Sequence, residues 1–127
     1  MSIPSNLLYT KDHEWIKIDG QYAFVGITDF AQSSLGDVVY VDIEKLDESL
    51  NAGEIFGVVE AVKTVADLFM PVDGQVIELN EALQDSPQLV NDDPYGKGWI
   101  IRIKIEENKD FRDLIDASAY SNLVLSE

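Results

Sequence analysis

The sequence predicts a mainly β fold, a sandwich or small barrel with short helices and a C-terminal helical segment. Three observations carry that prediction. Apolar residues come in short runs rich in β-branched and aromatic side chains, the composition that suits a pleated, half-buried surface. Turn signals at Asp19-Gly20, Leu35-Gly36-Asp37, Ala52-Gly53 and Asp73-Gly74 punctuate those runs too closely to leave room for long helices. The chain is 127 residues long and has no cysteine, a size at which one apolar core holds a fold without disulfide staples.

Taken in order, the strands are predicted at 14–18, 22–27, 38–43 and 75–79, with the clearest alternation at 98–105, where Arg102 and Lys104 fall on the exposed face. The two apolar runs around Lys63, Ile55 to Val59 and Val65 to Met70, flank a polar centre and read as a hairpin with an exposed tip. Thr28 is a candidate N-cap for a helix that brings Phe30 and Leu35 to one face before Gly36 stops it. Residues 80–83 form at most one turn. Between Asp110 and Leu125, Phe111, Leu114 and Ile115, then Ala119, Leu123 and Val124, predict two helices with a break at Ser118. The run 91–99 is rich in turn residues and reads as a structural loop with Trp99 anchored in the core. Gly36-Asp-Val-Val-Tyr and Gly74-Gln-Val-Ile-Glu, with Gly20-Gln-Tyr-Ala-Phe and Gly53-Glu-Ile-Phe-Gly, form a weak internal repeat, which implies two interlocking halves. No linker separates the halves, so one domain spans 1–127.

The net charge is −15, from 9 Lys plus Arg against 24 Asp plus Glu. A chain so acidic lacks the basic stripe with which proteins track phosphates or anionic lipid headgroups, so neither nucleic acid nor a membrane surface is an expected partner. No apolar run approaches the ~20 residues that span a bilayer, and residues 1–8 lack a basic, then apolar, leader; a bacterial cytoplasmic protein is expected, or one of the mitochondrial matrix only if an import sequence has been removed. Without cysteine there is no thiolate nucleophile or thiolate metal site, and with His13 as the lone histidine there is no poly-His zinc site. A free-standing enzyme is not expected.

Lys63 is the one basic residue between Leu46 and Gly96, a stretch that holds eleven carboxylates. On composition alone, a lysine at a hairpin tip is a solvated loop residue. However, His13-Glu14-Trp15, Val25-Gly26-Ile27-Thr28-Asp29-Phe30-Ala31-Gln32, Leu35-Gly36-Asp37-Val38-Val39, Gly57-Val58-Val59-Glu60-Ala61-Val62-Lys63, Pro71-Val72-Asp73-Gly74 and Val90-Asn91-Asp92-Asp93-Pro94-Tyr95-Gly96-Lys97-Gly98-Trp99 together resemble the glycine cleavage system H proteins over nearly the whole chain. The resemblance implies a barrel-sandwich hybrid, like that of lipoyl and biotinyl carriers. Its core lies at about 22–105 and its C-terminal helical segment at about 110–125. It also implies lipoic acid in amide linkage to Lys63. The chemistry agrees: lysine supplies an acylable amine on a long stem, and the sulfurs that this chain lacks belong to the cofactor.

By the same resemblance, Glu60 and Gly74 match positions implicated in recognition by the lipoylating enzyme. Glu60 also reads as a solvated strand end, and Gly74 as a turn glycine with positive φ. Glu14 and Asp67 are the candidates that would meet a protonated aminomethyl amine in a cleft on the carrier's surface, or else two surface acids among many. Ala61 and Thr64 stand where relatives more often have Ser and Ala, and Ser34 where some carry His. His13, a lone histidine beside aromatics, reads as packed rather than catalytic. The function implied is that of a non-enzymatic shuttle. It would carry the aminomethyl group from a pyridoxal-phosphate glycine decarboxylase to a tetrahydrofolate-dependent aminomethyltransferase, with a flavin-dependent dihydrolipoyl dehydrogenase restoring the disulfide. A lipoyl-relay paralogue, a biotinyl carrier and a cofactor-free acidic interaction module are the alternatives. The biotinyl reading is disfavoured because Lys63 lies between Val62 and Thr64 instead of methionines.

Overall fold

The computed structural model describes residues 1–106, 111 and 113–127. In chain order the described elements are β1 (Leu8–Tyr9), β2 (Glu14–Asp19), β3 (Tyr22–Ile27), α1 (Asp29–Leu35), β4 (Val38–Asp42), β5 (Ser49–Leu50), β6 (Ile55–Ala61), β7 (Val65–Phe69), β8 (Gly74–Leu79), α2 (Ala82–Asp85), α3 (Leu89–Asp92), β9 (Ile101–Ile105) and α4 (Ala117–Leu125). Alternation sets the strands and local chemistry ends them. β2 and β3 pair from Glu14↔Ile27 to Asp19↔Tyr22, and the hairpin closes at Gly20, whose φ of 63° suits glycine. The α1 helix starts where Thr28 accepts the Ala31 N–H at 3.1 Å and stops at Gly36, whose φ is 84°.

The strands form two antiparallel sheets, one of six strands in the order β1-β2-β3-β9-β8-β5 and one of three in the order β4-β6-β7. The repeated halves are shared between them. β3 lies in the larger sheet and β4 in the smaller, while β6 lies in the smaller and β8 in the larger, so each half gives one strand to each sheet in opposite order. The main core fills the space between. Val25, Ile101, Ile103 and Val76 come from the larger sheet and meet Phe56, Val59 and Leu68 from the smaller, all essentially inaccessible to water. Each such side chain contributes about 1.5–3 kcal/mol by burial. A second cluster, of Leu7, Tyr9, Trp15 and Tyr120, packs β1 and β2 against α4, with the Tyr9 and Tyr120 rings stacked at 4.6 Å.

The C-terminal region departs from the expected helix pair. Among its described residues there is a single helix, α4, which begins only after Asp116, whose carboxylate accepts the Ala119 N–H at 2.9 Å, and Ser118 lies inside the helix on its exposed side. Ile115 instead exchanges both backbone hydrogen bonds with Tyr9, at 2.8 and 2.9 Å. That strand-like bridge and the Asp116 cap override the helical spacing of Phe111, Leu114 and Ile115. Phe111 and Leu114 do pack against the main core, while residues 107–110 and 112 of the expected segment lie outside the described residues. The run 91–99 is not all loop, since α3 takes its first two residues. Trp99 is half-buried, edge-on to Phe24 with ring centres 5.1 Å apart, and belongs with the second cluster and not the main core. Arg102 and Lys104 do face outward.

Gly74 is the second correction. It is not a left-handed turn residue but the buried first residue of β8, paired with Leu50 and Ile105. A Cβ there would come 2.8 Å from the Lys104 carbonyl oxygen, a backbone atom with no room to give. Gly74→Ala is therefore expected to lower unfolding free energy by about 1–3 kcal/mol, read as a lower urea midpoint; an unchanged midpoint would contradict the close-approach account.

Candidate functional site

Beyond a register shift between Ile55 and Gly57, β6 and β7 pair evenly from Gly57↔Leu68 to Glu60↔Val65, and the Ala61 N–H closes on the Thr64 carbonyl at 2.8 Å, which leaves Val62 and Lys63 as the tip. Neither has positive φ, so ordinary L residues occupy the turn without strain. Both are exposed, and among the described residues Lys63 makes no ion pair. Its stem folds back over Gly36, where a Cβ would come 3.0 Å from Cε and 3.6 Å from Nζ. The base of the tip is anchored, because the Val62 N–H donates to the Asp37 carbonyl at 3.1 Å. An amine on a long stem is thus presented from a fixed base. Around it lies an apolar rim of Val39, Val62 and Val65, exposed by 51%, 72% and 59%. Val39 owes its exposure to a bulge between Val38 and Tyr40, where β4 slips against β6.

Glu60 lies at the end of β6, half-buried, paired with Tyr40 and Val65 and three residues from Lys63. Gly74 belongs to the other sheet, and its strand partners do not bring it to the tip. Asp67 is exposed on β7; with Val65 and Phe69 it occupies one face of the strand, which leads away from the tip over about 17 Å at ~3.3 Å per residue. At the far end of that line is Glu14.

Glu14 is no surface acid. It is 2% exposed; Oε1 accepts the Thr10 hydroxyl at 2.7 Å and Oε2 accepts the Phe69 N–H at 3.3 Å. Burial outweighs these bonds, which favour the ionised form, and lifts its pKa from 4.5 to about 7. Beside it runs a groove of about 250 Å³ lined by Thr10, Asp12, Ala52, Met70 and Pro71 among others. The carboxyl is thus poised to take or give a proton near neutrality, at a partly apolar groove wall. His13, by contrast, is structural. Its Nδ1 shares a hydrogen bond with the Tyr120 hydroxyl at 2.7 Å, and its Nε2 lies 3.1 Å from the carboxylate of Glu127, just beyond the end of α4. Ser34 is exposed on α1. Among the described residues no group of His and acidic side chains could hold a metal ion, and no helix is long and apolar enough to cross a membrane.

No role at the site is read from the sequence for Thr10, Gly36, Asp37 or Asn91. The signals were present but distant, since Gly36 and Asp37 are separated from Lys63 by more than twenty positions, and only the pairing of β4 with β6 brings them together.

Comparison with known proteins agrees with this geometry. Residues 7–127 match the family profile described as "Glycine cleavage H-protein". The chain is 53% identical to a glycine cleavage system H protein of Bacteroides thetaiotaomicron over 124 residues, which are 98% of each chain. It is 56% identical to that of Chlorobium limicola over 126 residues, again 98% of each. Among solved structures it is similar to a glycine cleavage system H protein from Mycobacterium marinum, with a TM-score of 0.82 and 40% identity over 94% of this chain and 97% of that one.

Proposed function

Because this chain belongs to the glycine cleavage H-protein family, we propose that it is the lipoyl-bearing shuttle of a glycine cleavage system. In this reading it takes the aminomethyl group from glycine decarboxylase to the aminomethyltransferase, and dihydrolipoyl dehydrogenase resets it. Lys63 is the attachment residue. The observation that carries this reading is an exposed lysine, without an ion-pair partner among the described residues, on a two-residue tip anchored at its base. The residues present fit the group: an acylable amine, a long stem with Gly36 leaving room beneath it, and a partly apolar groove within reach of the same strand. When bound, lipoic acid supplies the disulfide chemistry that a cysteine-free chain lacks.

The protein's own residues do the rest. The β6–β7 hairpin and Asp37 hold the base still, so that a mobile arm on a rigid mount raises the effective concentration at each partner's site. Glu60 and the apolar rim present the tip to the lipoylating enzyme, and Gly74 supports the sheet behind. Glu14, whose pKa burial lifts to about 7, releases its proton to solvent when a cationic amine is brought against it and then accepts a charge-assisted hydrogen bond. Met70 and Pro71 restrict water there, and Asp67 offers a second carboxylate along the way. The bacterial sources of the relatives support a bacterial cytoplasmic location.

The test is the intact mass of protein purified from lipoate-replete cells, followed by tryptic mapping. Acylated Lys63 resists trypsin, so one lipoyl increment is expected on a fragment from Leu46 through Lys97. Normal cleavage at an unmodified Lys63 in cells that lipoylate other proteins would overturn the proposal.

A further inference from the structure

Gly36 and Asp37, which connect α1 to β4, and Val38, the first residue of β4, lie between two partners. On one side is Asn91 of α3: its Oδ1 accepts the Val38 N–H at 2.8 Å and its Nδ2 donates to the Gly36 carbonyl at 2.8 Å. On the other is the tip, whose Val62 N–H donates to the Asp37 carbonyl at 3.1 Å. Residues 36 and 38 face one way and residue 37 the other, as alternate residues of a strand do. The Asn91 carboxamide thus makes the donor–acceptor pair that a neighbouring strand would make. The same Nδ2 also donates to Gln32 Oε1 at 3.0 Å, which ties this support to α1. Asn91 is itself set in place by Val90, its fully buried neighbour in the main core. Gly36, held through its carbonyl, lies under the Lys63 stem.

We infer that Asn91 is a positioning residue for Lys63. It holds residues 36–38 as a shelf from which the hairpin tip hangs, so that the lysine amine meets an acylating enzyme at one height and angle. The assignment rests on the carrier reading for what the positioning serves. An amide is required at this position, because only it both accepts from Val38 and donates to Gly36 and Gln32. An aspartate of the same shape keeps the first bond and sets a carboxylate against two oxygens.

The experiment compares the full chain with Asn91→Asp and Asn91→Ala. Amide hydrogen exchange is followed at Val62, Val59 and Ile103, the kcat and KM for enzymatic lipoylation are measured, and Lys63 is separately acylated with acetic anhydride. In both variants Val62 is expected to exchange about tenfold faster, as for one lost hydrogen bond, with Val59 and Ile103 unchanged. Lipoylation kcat is expected to fall about tenfold with KM within about twofold, the pattern of lost alignment. Acetylation by the small reagent, which needs no alignment, should keep its rate. Unchanged exchange at Val62, or faster exchange there with wild-type lipoylation kcat, would overturn the inference. So would a general acceleration at all three amides, which would make Asn91 a stability residue. A wild-type chain that accepts no lipoyl group would overturn the carrier reading and the use assigned to the shelf, and the Val62 exchange distinguishes that failure from a failure of the shelf itself.

Discussion

Lys63→Arg is expected to remove the lipoyl increment completely and to lower glycine-dependent turnover with the partner enzymes by at least about a thousandfold, since free lipoate cannot match the effective concentration of a tethered arm. The substitution is chosen for what it keeps. Arginine preserves the charge and most of the stem, but its guanidinium remains protonated and forms no amide under these conditions. Lys63 is exposed and unpaired among the described residues, so the thermal stability of the variant should stay within about 0.5 kcal/mol of the parent. Mass spectrometry, a reconstituted turnover assay and a melting curve read the three expectations. Turnover that survives in the arginine variant would dismiss Lys63 as the carrier residue.

The second large effect concerns pH. Glu14 has a folded-state pKa of about 7 against 4.5 unfolded, so between those values the native state holds a proton that the unfolded chain releases. Stability therefore falls as pH rises from about 4.5 through 7, by about 3 kcal/mol in all. Glu14→Gln has no such titration. It sacrifices one acceptor, either for Thr10 or for Phe69, worth about 1 kcal/mol. Near pH 5 the variant should equal the parent or lie about 1 kcal/mol below it, and near pH 8 it should be about 1–2 kcal/mol more stable. Urea midpoints at pH 5, 6, 7 and 8 measure the difference, in which His13 and the exposed acids cancel. Parallel profiles would show that Glu14 titrates normally. Under the proposed function, a cationic amine delivered to the groove would recover the energy lost as Glu14 ionises.

The parts of this design that were legible in the sequence are those set by neighbours in the chain. Tyr22–Ile27 is rich in aromatic and β-branched residues, follows a turn signal and forms a strand with those bounds; Thr28 and Gly36 cap α1 by their own chemistry. Lys63 stands out because its charge is isolated over a long acidic stretch, and among the described residues it has no ion pair in the fold either. Two-residue strands such as β1 and β5 are too short to have a period. The helical spacing across Phe111, Leu114 and Ile115 was real, but Ile115 is engaged by Tyr9 from the other end of the chain. Asp67 and Glu14 looked alike in sequence. One is exposed and the other buried, because Thr10 and the Phe69 backbone close over Glu14 only in the assembled sheets. For Gly74 the residue type was informative but its cause was misread, since the demand comes from the Lys104 carbonyl across the ladder and not from its own φ.

The brevity of the strands that border the sheets bears on how this molecule behaves in company. A long, flat, unpaired border recruits further strands, and a protein visited by several enzymes in turn would be lost if copies zipped together. Here the six-stranded sheet ends on both sides in strands of two residues. Of the two borders of the smaller sheet, β4 is broken by its bulge, while β7 carries the Asp67 charge and has its last amide, that of Phe69, taken by a carboxylate. Each border is unfit as a template for intermolecular pairing, so the chain can remain dispersed at high concentration with its acylable lysine still on open display.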